Sequence, residues 1–285
     1  MHTILVLTDF SDGAKNGADL ALQLAGKLQA RLLLVHVYQS TIKLKVNDPA
    51  SYPLEEQLSI QHDPDRQLQQ EALRLSRLQL SMGSAQLPDI ETCSFLGSFK
   101  AGLKFIAAKN NIFLAIVGDH HQAGDLFNPT DHVKISEQYL DYPLLIMPAG
   151  RRGMYAIKHI ALATDLAKKD LQALTWLQEL AEKLNCQLFT GHISLPAFNM
   201  PAAEEEAAGI FMAGMEKLGL PLHDYQNYYA ENVVAAINEF GEARHADILA
   251  VVYKKHSRLW HWLHGSTTEA LLAEHSLPLL LIPDL

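Results

Sequence analysis

The sequence has 285 residues, 48% of them hydrophobic, and a formal net charge of -9, which gives room for two ordinary domains with substantial cores. The acidic balance argues against general nucleic-acid binding, which needs a basic surface, and no apolar run approaches the roughly 18–20 residues of a membrane span. The two cysteines, Cys93 and Cys186, form no Cys-x-x-Cys pair and read as reduced, buried thiols; with Met1-His2-Thr3 leading straight into an apolar run, no secretory leader is expected and the chain reads as cytoplasmic.

Ile4-Leu5-Val6-Leu7 is a continuous apolar run, as expected of a strand buried on both faces of a parallel sheet, and it stops at Thr8-Asp9. An Asp in that place sits at the rim where open α/β sheets bind ligands. Its plainer role is a turn or helix cap. Residues 12–29 then read as a helix, with Ala18, Leu20, Ala21, Leu24, Ala25 and Leu28 on one side and Ser11 as its cap. Arg31 to Val37 reads as the second strand. Residues 39–61 read as a long loop, either a lid or a partner surface. A polar-rich amphipathic helix is expected over 64–81, a third strand near 89–96 and a helix near 99–109. A fourth strand is expected from Asn111 to Val117 with Gly118 after it, then a helix near 131–141 and a fifth strand over Leu144 to Met147.

The second half repeats this order. Shifting the chain by 156 places Asp9 on Asp165 and Val35-His36-Val37 on Gly191-His192-Ile193. A shift of 135 places Pro143 to Pro148 on Pro278 to Pro283. The difference, 156 − 135 = 21, locates extra residues in the first half, largely between its second strand and next helix. Strands are expected near 158–164, 187–194, 223–229, 247–253 and 278–282, and helices near 168–184, 202–218, 231–244 and 265–275. Ala149-Gly150-Arg151-Arg152-Gly153 is a flexible basic linker. A period this long means duplicated domains, here 1–149 and 154–285. Alternating strands and helices imply two open five-stranded parallel sheets with helices on both faces.

This order, with Thr8-Asp9 and Thr164-Asp165 after the first strand of each half, resembles the universal stress protein family in its tandem form. Val35-His36-Val37, Leu114 to Gly118, Ala246 to Leu249 and the two Pro-flanked closing segments carry the resemblance with them. It implies an adenine nucleotide alpha hydrolase-like α/β fold and two domains paired through their last strands, an internal pseudo-dimer. Association of whole chains into a homodimer and an unidentified protein partner are the further partners it leaves open.

Family members that bind ATP carry Gly-x-x-Gly, nine residues, then Gly-Ser or Gly-Thr after strand four. Such glycines let backbone amides approach phosphates, and a helix amino terminus favours anions. In the first half, Gly118 fits the opening glycine, but His121 stands at the second, Asp131-His132 at the closing pair, and Asp119 and Asp125 add negative charge that repels phosphate. Thr8, Asp9, Val37 and Gly118 therefore make a poor nucleotide site. In the second half, Val252 and Lys255 replace the leading glycines while Gly265-Ser266 survives, followed by Thr267. Lys254, Lys255, His256 and Arg258 supply positive charge. The resemblance thus places any ATP or other adenine nucleotide, with Mg, in the second half: Thr164, Asp165 and Ile193 on the base and sugar side, and Lys254, Lys255, Gly265, Ser266 and Thr267 around the phosphates. The alternative for Gly265-Ser266 is a helix cap alone.

The chain has fourteen histidines. His120, His121 and His132, and His256, His261 and His264, lie in equivalent loops, but no Cys is near and the spacing does not suit structural zinc, so they read as solvated loop residues. His36 and His192 read as structural. No Gly-x-Ser-x-Gly elbow, Walker loop or Gly-x-Gly-x-x-Gly occurs, so no standard hydrolase, NTPase or dinucleotide chemistry is written here. Glu204-Glu205-Glu206 reads as a solvated helix start, favoured by the helix dipole. The function expected is non-enzymatic: a stress-response protein that binds a small ligand, with adenine nucleotide in the second half as the candidate, or a protein partner. An interaction protein with decayed sites is the alternative, and a weak nucleotide phosphohydrolase is third.

Overall fold

In the computed structural model the described residues are 1–38, 63–81, 87–118, 141–148, 150, 155–194, 201–221, 224–229, 232–253 and 277–283. In chain order the first half gives β1 (Thr3–Leu7), α1 (Asp12–Leu28), β2 (Arg31–Tyr38), α2 (Pro64–Ser81), β3 (Ile90–Leu96), α3 (Phe99–Lys109), β4 (Ile112–Gly118) and β5 (Leu144–Met147). The second gives β6 (His159–Thr164), α4 (Asp170–Leu184), β7 (Gln187–Ser194), α5 (Pro201–Lys217), β8 (Tyr225–Tyr229), α6 (Val233–Ala243), β9 (Ile248–Tyr253) and β10 (Leu279–Pro283). The helices expected near 131–141 and 265–275, and the loop 39–61, lie outside the described residues.

The strands form one sheet in the order β3-β2-β1-β4-β5-β10-β9-β6-β7-β8. Pairing is parallel within each half and antiparallel at the joint, where Leu279, Leu280 and Leu281 face Ile146, Leu145 and Leu144. The two closing segments therefore pair as the sequence suggested. Side chains alternate across the joint with the period of two that a strand imposes. Leu145, Met147, Leu280 and Ile282 enter the core under α1, α2, α4 and α5. Leu144, Ile146, Leu279 and Leu281 enter the core under α3 and α6. Both cores run through the joint, so the two halves share their apolar interior.

The duplication is also visible in the backbone. Phe10 and Leu166, 156 residues apart, both adopt left-handed φ, at 68° and 62°. Gln29 and Asn185, the C-caps of α1 and α4, do so at 52° and 56°. Left-handed backbone is costly for a residue with a Cβ, and its recurrence at matched positions marks one turn design used twice. Across the seam, Gln23 Nε2 donates to the Tyr155 carbonyl at 3.0 Å. The Phe113 and Trp176 rings meet at 5.1 Å, with Lys183 over Phe113.

Gly118 is required by packing. A Cβ there would lie 2.2 Å from the Gly13 carbonyl carbon and 2.4 Å from Ala14 N. The first turn of α1 rests directly on the end of β4, which only glycine permits.

Candidate functional site

Each half reverses its strand order beside its central strand: β1 lies between β2 and β4, and β6 between β7 and β9. The carboxyl ends of β1 and β6 therefore stand at topological switch points, where open α/β sheets form ligand crevices.

At the end of β1, Thr8 Oγ1 accepts from the Phe10 amide at 3.0 Å, and Asp9 Oδ1 accepts from the Ser11 amide at 3.0 Å. Ser11 Oγ accepts from Ala14 N–H at 3.1 Å and caps α1. His36 Nδ1 lies 2.7 Å from the Thr8 carbonyl. A carbonyl only accepts, so that nitrogen carries the hydrogen. The imidazole then packs against Phe10 at 4.6 Å and lies parallel to Tyr38 at 6.0 Å.

The end of β6 repeats the frame. Thr164 Oγ1 accepts from Leu166 N–H at 3.0 Å, Asp165 Oδ1 from Ala167 N–H at 3.1 Å, and His192 Nδ1 lies 2.9 Å from the Thr164 carbonyl. What surrounds the frame differs. The Asp170 carboxylate, buried, accepts from the Thr164 hydroxyl at 2.6 Å and from Asp165 N–H at 3.3 Å. Glu204, from the first turn of α5, meets His192 Nε2 at 2.8 Å and accepts from the Ser194 hydroxyl.

Thr164 and Asp165 are thus together at the switch point, and so are Thr8, Asp9 and Gly118. Val37 and Ile193 stand one residue before the ends of β2 and β7, with side chains buried in the core under α3 and α6. Lys254, Lys255, Gly265, Ser266 and Thr267 lie outside the described residues, as do the histidine-rich loops. Glu204 departs from the solvated role read in the sequence: it is half-buried and holds two side chains of β7, while Glu205 and Glu206 are exposed. Asp170 was not singled out in the sequence at all. Among the described residues no group of three His, Cys, Asp or Glu side chains is arranged to hold a metal. Burial pushes the Cys186 thiol up to about 11 and raises Cys93 also, so both resist ionisation. No helix among the described residues is long and apolar enough to cross a membrane.

The sequence model of the universal stress protein family matches residues 1–126 and 156–283. No curated protein matches the chain. Among solved structures, the chain is similar to a universal stress protein from Archaeoglobus fulgidus DSM 4304, at 14% identity and TM-score 0.62, covering 99% of this chain and 96% of that one. It is also similar to a functionally unknown protein from Pseudomonas aeruginosa PAO1, at 15% identity and TM-score 0.60, covering 99% and 92%. A putative universal stress protein from Pseudomonas aeruginosa UCBPP-PA14 gives 15% identity and TM-score 0.60, covering 99% and 93%. At these identities the likeness shows the fold, and it extends over both halves together.

Proposed function

The chain belongs to the universal stress protein family, and we propose that it is a cytoplasmic binding protein whose second half, within units 1–149 and 154–285, takes an adenine nucleotide with Mg. The observation that supports this is the Thr164-Asp165 turn, fixed at the β6–β9 switch point by a hydrogen-bonded frame. Asp165 would meet the sugar or base side. The positive charge of Lys254 and Lys255 and the Gly265-Ser266-Thr267 run favour phosphate in this half. The carboxylates of Asp119, Asp125 and Asp131 disfavour it in the first.

The test is thermal unfolding of the whole chain with ATP and magnesium. A ligand at 100 times its dissociation constant adds about 2.7 kcal/mol. Asp165→Ala and Ser266→Ala should each remove the shift, while Asp9→Ala should leave it. No shift at millimolar ATP would reject the reading. One observation favours the alternative, an interaction protein that binds no nucleotide. The Thr164 hydroxyl, His192 and Ser194 are all engaged by Asp170 and Glu204 within the chain. In that case ATP leaves the melting curve unmoved, and the protein acts through its surfaces.

A further inference from the structure

His192 and Ser194 are two apart on β7, so strand geometry puts both side chains on one face. His192 is 7% exposed and Ser194 3%. Both converge on one oxygen, Glu204 Oε1. The proton count follows from the partners. The Thr164 carbonyl accepts from Nδ1, so that hydrogen is fixed. The Ser194 hydroxyl donates to Glu204, and the contact between Nε2 and Oε1 holds one further proton. A hydroxyl aimed at a carboxylate oxygen makes a charge-assisted hydrogen bond, the stronger kind, and the imidazole edge stands 2.8 Å from the same oxygen.

Among the described residues, the other half carries a different arrangement. His36 keeps the same bond to its strand-one carbonyl. The position matching Ser194 there is Tyr38, whose ring lies parallel to the imidazole. Among the described residues, the Phe10 and Tyr38 rings flank His36, and a carboxylate engages His192. The Glu204 charge also reaches β8, where burial first and Glu204 second push the Tyr225 phenol up to about 12.

We propose that His192 and Ser194 form a carboxylate-binding site at the carboxyl end of β7, which the chain fills with its own Glu204. A ligand bearing a carboxylate takes the site when the first turn of α5 moves away. A tethered occupant competes at an effective concentration in the millimolar range for short tethers, so a free carboxylate must bring further contacts to displace it. The site stands whether or not the neighbouring crevice takes nucleotide.

Chemical rescue tests it on the whole chain, with sodium acetate as the probe and sodium chloride at equal ionic strength as the reference. Glu204→Ala should melt lower than wild type. Acetate should then raise its Tm saturably by about 2–4 °C, the shift one modest interaction makes in a chain of this size. Wild type should show no acetate-specific change, and Glu204→Ala combined with Ser194→Ala should lose most of the rescue. Should Glu204→Ala not fold, Glu204→Asp keeps the charge on a shorter side chain. Acetate should then move the His192 ring-nitrogen NMR signals, identified by their loss in His192→Gln. Equal responses to acetate and chloride, in melting or in those signals, would overturn the proposal. So would undiminished rescue in the double variant.

Discussion

The first turns of α1 and α4 follow the same Thr-Asp corner and are closed by different chemistry. In α1 the Ser11 hydroxyl caps the helix from outside, and Gly13 and Ala14 lie against Gly118. In α4 there is no side-chain cap, and Lys169 and Asp170 stand where Gly13 and Ala14 stand in α1. Asp170 turns inward to the Thr164 hydroxyl, and Val252 replaces Gly118. One half is closed by near contact of backbones, the other by a buried carboxylate beneath larger side chains. Identical corners are therefore closed from beneath by different groups: small and apolar under Asp9, polar and acidic under Asp165.

The sharpest way to break the comparison is to place alanine at the matched strand ends. Gly118→Ala puts a methyl group 2.2–2.4 Å from α1 backbone, and backbone cannot rotate away. The expected loss is on the order of 3 kcal/mol, at the upper end for overpacking. Val252→Ala in the second half should destabilise by the opposite mechanism, a small cavity, with a loss of about 1–2 kcal/mol. Urea midpoints of the two variants measure both. Equal losses would mean that α1 does not depend on its close seat.

Asp170 comes next in size. Asp170→Ala leaves the buried Thr164 hydroxyl and the Asp165 amide without that acceptor, at a cost of about 2–3 kcal/mol. Asp170→Asn keeps an acceptor at the same length and should lose less than half as much in the same urea titration. A neutral Asp170→Ala would show that the carboxylate is not what closes the second corner.

Much of the architecture was legible because patterns of period two and 3.6 repeat in order, twice, and because each Pro-flanked closing segment announces a short buried strand. The two acids that shape the second corner were harder to see, yet their helical phase carried the signal. Glu204 lies on one helical stripe with Ala208, Phe211 and Met215, all buried. Asp170 shares a stripe with Ala173, Leu174 and Leu177, also buried. A carboxylate at an apolar-face position of an amphipathic helix has a buried partner or an altered environment. Reading Glu204-Glu205-Glu206 as one run hid this, since only its first member has the inward phase. Gly118 was obscured for another reason. A glycine after strand four fits phosphate approach and helix approach alike, and only the position of α1 distinguishes them.

The smallest expected effect is also the most discriminating about how the two helices begin. Ser11→Ala removes the hydroxyl that accepts from Ala14 N–H and should cost about 1 kcal/mol, the usual value of an N-cap. The matching residue in the second half is Ala167, so a simple duplication argument predicts that Ala167→Ser restores a cap and gains as much. The geometry predicts otherwise. The α4 helix starts two residues later in the matched frame, at Asp170 with Lys169 as its N-cap, and Asp170 N–H, the donor that a hydroxyl at 167 would reach, is already bonded to the Ala167 carbonyl. Its first turn is held from below through Asp170. Ala167→Ser should therefore change the urea midpoint hardly at all, while Ser11→Ala lowers it. A gain from Ala167→Ser matching the Ser11 loss would show that the two corners still work alike.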